Sequence, residues 1–503
     1  MNLSLILGAT ATCFALRALP RIGKPLIGHD TWAILLVVDE LRKGHGYNGV
    51  CKYFLIKGDH DYPPLFFYFL LPLPSSWLRK YNWAINPTLD SMNCALLFGT
   101  TYLLSQSSLA AFIAAMIYSF TPVVLEESLN LNARIFGLIV FNFTLVSLMI
   151  YYYSGGLVSL IAAISFGIIV LLSHKFATQV FYLLMISFAV LLPSYIPLAL
   201  LCAVVIGAIA FSRSFYLRIL RGHVGITRFW LKHHKEYGSD YLGRLYSCHA
   251  TNDRGNKEET TNDPRLSVRG LWQRTKWANP LYWLLKINPF NPFALIPIIM
   301  LLFVPFQLLW QRMILDWSIL TFIFFYLATY LPFLAQPMSN RQFLDYNAFP
   351  TAYLCAMFVL EWPSSLKLLA ISLMLLLSLV QNVRAWSRVR LHSRSDDQSI
   401  LRNTFTYLRS SNKEGVLCLP SSHTYAIPYF SGKKVFYTVS ARNCEKLASF
   451  IPVLTVPVKK LVDEYSIDFV LVDTTIVPVN RIDLSGFRQV VEENSYALYE
   501  RFK

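Results

Sequence analysis

Apolar and polar residues alternate in blocks along this chain. Runs rich in Leu, Ile, Phe, Val and Ala occupy residues 2–19, 63–78, 86–104, 107–122, 134–153, 156–173, 176–193, 195–212, 291–311, 315–335, 343–361 and 365–386. A membrane-crossing helix needs about 20 such residues, so the pattern predicts a mainly α, polytopic bundle of about 11–13 spans. Pro72 and Pro74 interrupt the run at 63–78, which predicts a kinked or partly spanning piece there. Met1–Leu19 has no basic residues ahead of its apolar stretch and no small-residue cleavage site after it, and so reads as the first span. Trp77, Trp83, Trp310, Trp317 and Trp362 fall near run ends, where an interfacial aromatic belt would place them.

Two stretches break the pattern. Residues 213–290 carry Arg213, Arg218, Arg221, Arg228, Lys232 and Lys235 around a polar centre, Thr251 to Asn262. Its flanks, Phe215–Trp230 and Leu271–Ile287, have the spacing of basic amphipathic helices lying on a membrane surface. Beyond Trp386 a polar linker (Arg388, Arg390, Arg394, Asp396, Asp397) leads to strand-like runs at 416–419, 434–437, 468–473 and 496–500. A helix is expected at 458–465, with Pro457 suited to its start. The expected division is a membrane domain over 1–386, with a first loop at 20–62 and the basic loop at 213–290, and a small soluble α/β domain over 387–503.

Composition agrees. Of 503 residues 55% are hydrophobic and only 15% charged, with a net charge of +16 and a mean hydropathy of +0.44. A soluble domain carries about a quarter charged residues. The positive excess suits loops near headgroups, or a pocket for a phosphate-bearing substrate. It does not point to nucleic acid, because the basic residues are not gathered on a polar domain. The eight cysteines show no CxxC and no zinc spacing. Cys418 and Cys444 share the C-terminal domain and are the candidates for pairing.

The first loop concentrates the chemistry. Residues 31–44 have helical spacing, and Asp30 stands where a carboxylate makes a good N-cap. Asp39 is spaced to pair with Arg42 or Lys43. Asp59-His60-Asp61 then precedes Tyr62-Pro63-Pro64. Two carboxylates one residue apart point the same way in an extended chain and form a candidate seat for a divalent cation, Mg or Mn, although such pairs also occur by chance in loops. His29, His45 and His60 are candidates for assisting proton transfer. His174-Lys175 interrupts an apolar region, either as a simple turn between helices or as a phosphate contact.

An Asp just past the first span, a helix ending at Lys43-Gly44, and Tyr62-Pro63-Pro64-Leu65 opening the next run together resemble the GT-C class of integral-membrane glycosyltransferases. Members of that class take sugars from polyprenyl-phosphate donors. The resemblance implies that Asp30 is the catalytic carboxylate, acting as general base in an inverting transfer of a hexose or pentose. It places Asp59 and Asp61 near the metal-binding acids of oligosaccharyltransferase catalytic subunits. Thr121-Pro122 through Glu126-Glu127 to Asn132-Ala133-Arg134 resembles the second polar loop of the class. Ser339-Asn340-Arg341-Gln342-Phe343 resembles a late loop whose basic residue meets donor phosphate. The substrate-binding set expected on this basis is Arg341, Lys175, His174, Arg134, Glu127, His60 and Tyr62. The implied partners are a polyprenyl-phosphate-linked sugar, a glycan, lipid or protein acceptor, and membrane lipids. The implied place is the cytoplasmic (inner) membrane, with the active site facing outward.

With the N-terminus inside, counting all twelve runs puts 123–133, 337–342 and the C-terminal domain inside as well, opposite to the class layout. Discounting one run, either 63–78 or a surface helix within 213–290, reconciles the two. A transporter or flippase of a lipid-linked or anionic solute is the alternative from another class. It predicts repeated halves with matched helix breaks, and none is evident. A polysaccharide polymerase or ligase would centre its chemistry on a large loop between late spans, and 213–290 keeps that reading open.

Overall fold

The computed structural model describes residues 2–22, 28–127, 130–233, 291, 293–294, 296–303, 308–331, 342–360, 364–395, 401–451, 454–477 and 479–502. Residues 234–290, with the helix expected at Leu271–Ile287, and Arg341 lie outside them, as does the side chain of Glu127.

Most of the chain is helical. The elements that matter below are α1 (Leu3–Ala18), α2 (His29–Arg42), α3 (Leu65–Leu70), α4 (Ser75–Tyr81), α5 (Ile85–Ser105), α6 (Ser108–Ser119), α7 (Pro122–Glu127), α8 (Ala133–Ser154), α9 (Leu157–Leu171), α10 (Lys175–Leu191), α11 (Ile196–Ser212) and α12 (Ser214–Lys232). Then follow α13 (Ile296–Phe303), α14 (Leu309–Tyr330), α15 (Gln342–Leu360) and α16 (Ser364–Ser395). Among the described residues five segments are long and apolar enough to cross a membrane: Leu3–Arg21, Ala133–Ser154, Leu309–Ala328, Gln342–Leu360 and Leu368–Ser387. Ile196–Ser212 with Phe215–Lys232 forms a sixth candidate, bent by 119°. Three shorter apolar helices, α6, α9 and α10, pack in the same bundle. The chain is a multi-pass membrane protein.

The run at 63–78 does not cross. It folds as α3 and α4, parted at the prolines. The Leu65 N–H donates to the carbonyl of Leu172, just past α9 (3.0 Å). Asn82, just past α4, accepts from Arg21, just past α1 (3.0 Å). Both ends of the run therefore sit at one end of the bundle. Leaving it out of the count brings 123–133 and the C-terminal domain to the side of the first loop. The same end is reached by α16, where Trp386 Nε1 donates to the Leu16 carbonyl (3.2 Å).

Inside the bundle one buried ion pair is closed on itself by hydrogen bonds. Arg17 Nε lies 2.7 Å from Asp90 Oδ2 with both side chains fully buried. Arg17 also donates to the carbonyls of Ser119 (2.7 Å) and Tyr118 (3.2 Å), and the Tyr118 hydroxyl donates to Asp90 (2.5 Å). This knot ties α1, α5 and α6. Trp317, expected in an interfacial belt, is instead a core residue stacked on Phe349. Its run is enclosed by α8 and α15, so the ring meets protein rather than headgroups.

The C-terminal part begins with α17 (Arg402–Ser410) and forms a five-stranded sheet in the order β2-β1-β3-β5-β4. Its strands are β1 (Gly415–Leu419), β2 (Lys434–Val435), β3 (Phe469–Asp473), β4 (Phe487–Glu493) and β5 (Tyr496–Arg501). The first three pair in parallel, and β5 runs antiparallel to β3 and β4. Helices α18 (Ala426–Ser431) and α19 (Val458–Tyr465) connect the strands. β1 and β3 are buried throughout, whereas the edge strand β4 has no buried residue. Its Phe-Arg-Gln-Val-Val-Glu-Glu sequence hides the apolar alternation, which is why pattern alone misses it. Cys418 and Cys444 are free thiols, not a disulfide. The sheet does not stand apart from the membrane region. Leu55 N–H donates to the Val435 carbonyl (2.9 Å) and Ile56 N–H to that of Tyr437 (3.3 Å), so the first loop runs along the β2 edge.

Candidate active site

The site is built at the start of α2. Gly28 precedes the helix at φ +82°, and a Cβ there would lie 2.6 Å from Asn130 Oδ1. Only glycine meets both demands. Leu131 N–H donates to Thr31 Oγ1 (3.1 Å), which seats the 130–132 loop on α2. Asn132 in turn caps α8, accepting from the Arg134 N–H (2.9 Å). Gly28, not Asp30, takes the N-cap position of α2. This corrects the capping expectation. Asp30 lies one residue into the helix, where the positive end of the helix favours a carboxylate.

Asp30 faces a cavity of about 310 Å³. Volumes of about 300–1,000 Å³ are usual for ligand pockets. The cavity brings together six residues expected from sequence, Asp30, His60, Tyr62, Arg134, His174 and Lys175, from four separate segments. Arg134 approaches Asp30 loosely at 3.7 Å, and both side chains keep contact with solvent. Lys175 Nζ lies over the Tyr62 ring, 5.6 Å from its centroid, and 3.4 Å from Asp61 Oδ1. Burial, and then the Asp30 charge, push the Tyr62 hydroxyl above its ordinary pKa. Burial, followed by Lys175, pulls His60 down to about 3, and burial followed by Arg134 lowers His174. Both imidazoles are therefore neutral at physiological pH. His60 Nδ1 is buried with no hydrogen-bond partner among the described residues.

Other expectations fall elsewhere. Asp59 is half-exposed outside the cavity and pairs with Arg442 (3.1 Å). Asp61 is fully buried beneath the cavity, between Lys175 and the Ser440 hydroxyl, which donates to it at 3.3 Å. These donors do not fit a divalent cation as arranged. Each carboxylate faces a protein cation, and among the described residues no group of three metal-ligating side chains converges. His45 is not in the cavity; its Nδ1 lies 2.7 Å from Glu40 Oε2. The side chain of His29 lies outside the described residues. Arg341 and the Glu127 side chain also lie outside, but Gln342, next to Arg341, lines the cavity.

Sequence reasoning missed Tyr425, Gln179, Ile226 and Trp230, which complete the wall. Ile226 and Trp230 come from α12, the expected amphipathic surface helix, whose Leu217, Leu220, Val224 and Leu231 remain exposed on its other side. Tyr425 comes from the C-terminal domain, and nothing in the local sequence around it signals a ligand.

Glu40 is a second finding. It is buried yet accepts from Lys43 (2.8 Å), Lys52 (2.6 Å) and Tyr53 (2.9 Å), and faces His45. Burial opposes its charge, but these bonds outweigh it and hold the pKa down at about 2. This hub fastens residues 45–53 to α2.

No family model matches the chain, and no curated protein does. Solved structures do. The archaeal oligosaccharyltransferase AglB from Archaeoglobus fulgidus, in complex with an inhibitory peptide and a dolichol-phosphate, superposes with a TM-score of 0.58 at 12% identity, over 94% of this chain and 69% of that one. The Archaeoglobus enzyme in complex with Zn and sulfate gives 0.55 at 12% identity, over 93% and 68%. ArnT from Cupriavidus metallidurans bound to undecaprenyl phosphate gives 0.55 at 8% identity, over 98% and 97%. With that architecture matched over nearly its whole length, this chain has the GT-C fold.

Proposed function

We propose that the protein is a membrane glycosyltransferase that moves a sugar from a polyprenyl-phosphate donor to an acceptor on the outer side of the membrane. The observation that carries this reading is one cavity where, among the described residues, a carboxylate open to solvent, Asp30, stands beside two cations, Arg134 and Lys175. Neighbouring structures that hold dolichol-phosphate or undecaprenyl phosphate support the donor class.

In the proposed reaction Asp30 takes the proton from an acceptor hydroxyl or amine. The freed lone pair attacks the anomeric carbon from the face opposite the donor phosphate. The bond between that carbon and the phosphate oxygen breaks, the electron pair leaves with the lipid phosphate, and configuration inverts. Arg134 and Lys175 meet the departing charge. His60 and His174, held neutral, offer hydrogen bonds without changing the charge of the pocket. Tyr62 orients the sugar from the wall, and Arg341, adjacent to Gln342, adds a further phosphate contact. The proposed units are the membrane region 1–386 and the sheet domain 387–503.

Asp30→Asn is the test. Transfer of labelled sugar from a polyprenyl-phosphate donor should fall by at least about a hundredfold, with undecaprenyl phosphate binding retained. Transfer at the normal rate would overturn the assignment.

A further inference from the structure

Asp61 sits where four parts of the molecule meet. It belongs to the first loop and faces Lys175 of α10 (3.4 Å). Its Oδ2 accepts from Ser440 of the C-terminal domain (3.3 Å). Gly222 of α12 passes so close that a Cβ would lie 2.7 Å from the carboxyl carbon and 2.9 and 3.0 Å from its oxygens. The loop bearing Ser440 is seated tightly. Asn443 Nδ2 donates to the Lys57 carbonyl (2.7 Å). A Cβ on Gly58 would meet Ser440 Cβ at 2.6 Å, and one on Gly225 would lie 3.2 Å from Arg442 Cα. Small residues at 58, 222 and 225 let backbone and loop close over a fully buried carboxylate.

We propose that Asp61 is a positioning residue that latches the C-terminal domain to the cavity, so that the seating of the 438–443 loop sets how firmly Lys175 grips an anionic phosphate. This rests on Lys175 being a phosphate ligand. A buried carboxylate shared by an ammonium and a hydroxyl keeps both in one geometry. Without the Ser440 hydroxyl, Asp61 draws on Lys175 alone and pulls the ammonium back from the cavity. Ser440 is not among the residues lining this cavity, and its hydroxyl donates to Asp61, so Asp61 and Lys175 are the direct route by which loss of that hydroxyl reaches the cavity.

The experiment is a double-mutant cycle on the full chain, with undecaprenyl phosphate as the probe. Ser440→Ala should weaken binding by about threefold to tenfold, and that loss should vanish in a Lys175→Ala background. An equal loss in both backgrounds, or none in the unmodified protein, overturns the latch. A Lys175→Ala protein that binds the lipid normally overturns the phosphate reading beneath it. A second measurement does not depend on lipid. Cys444 is a partly exposed free thiol four residues past Ser440. In Asp61→Asn its alkylation, followed by mass spectrometry, should accelerate several-fold while buried Cys418 stays slow. No acceleration at Cys444 also overturns the latch.

Discussion

Two of the Asp–Arg pairs in this molecule do opposite things. Arg17 and Asp90 touch at 2.7 Å, fully buried, with every remaining polar edge bonded to α6. Arg134 and Asp30 stand 3.7 Å apart at the rim of a cavity, each open to solvent. The first pair is used up by the fold. The second holds back charge that a substrate can use. What separates them is not residue type but enclosure: one pair is sealed inside the bundle and the other stands in solvent beside the cavity.

The largest effect expected is on the closed pair. Arg17→Ala strands a buried carboxylate and should cost roughly 3–5 kcal/mol of stability. Thermal unfolding in detergent would read this as a large drop in Tm. Equal stability of Arg17→Ala and the unmodified protein would show that the pair does not knot the bundle, and the contrast with Asp30–Arg134 would fail.

The Glu40 hub lies between these extremes, because the carboxylate is buried while its partners reach solvent. A folded pKa of about 2, below the usual 4.5, means that Glu40 binds its proton more weakly in the folded chain. Its stabilisation is therefore complete above pH 4.5 and is lost as pH falls from 4.5 towards 2. Discounted for half-exposed partners, Glu40→Gln should cost about 2 kcal/mol at pH 7. The gap between the two proteins should close as the medium is acidified through that window. A gap unchanged between pH 7 and 3 would mean the hub acts by shape alone.

How far the sequence reveals this depends on the kind of signal. Apolar runs and the strands at 416–419 and 468–473 were legible because burial on all sides leaves long hydrophobic stretches. Six cavity residues were legible because polar side chains between apolar runs are costly there and stand out. Asp61 stands out equally, as a candidate metal ligand, but no local pattern announces that Lys175 and Ser440 meet it from 114 and 379 residues away. Tyr425 stayed hidden for the same reason. The parity of the spans depended on Pro72 and Pro74, whose presence was visible but whose effect, turning the run back on itself, is set by packing against Leu172 and Arg21.

Opening the loose pair should touch binding and spare the fold. Arg134→Ala should change stability by less than about 1 kcal/mol and weaken undecaprenyl phosphate binding about tenfold, equivalent to about 1.4 kcal/mol. Isothermal titration and unfolding on the same preparation would measure both. A protein that unfolds early yet binds normally would reverse the contrast and place Arg134 with Arg17.

The smallest effect belongs to Asp59. It is half-exposed, sits outside the cavity, and its partner Arg442 is exposed too. Exposed pairs of this kind contribute about 0–1 kcal/mol. Asp59→Asn should therefore shift Tm by a degree or so at most, on the order of 0.5 kcal/mol, and leave sugar transfer within about twofold of normal, a change below 0.5 kcal/mol. The same geometry bears on metal. If Asp59 and Asp61 shared a cation in the working enzyme, Asp59 would have to release Arg442 and turn towards a carboxylate that Lys175 and Ser440 already hold. Transfer measured with EDTA and then with added Mg or Mn separates the cases. Activity indifferent to both, together with a silent Asp59→Asn, leaves the cavity cations to meet the leaving phosphate by themselves. Activity abolished by EDTA and by Asp59→Asn alike would mean that the first loop rearranges around a metal, and that Lys175 and Arg134 share the phosphate charge with it.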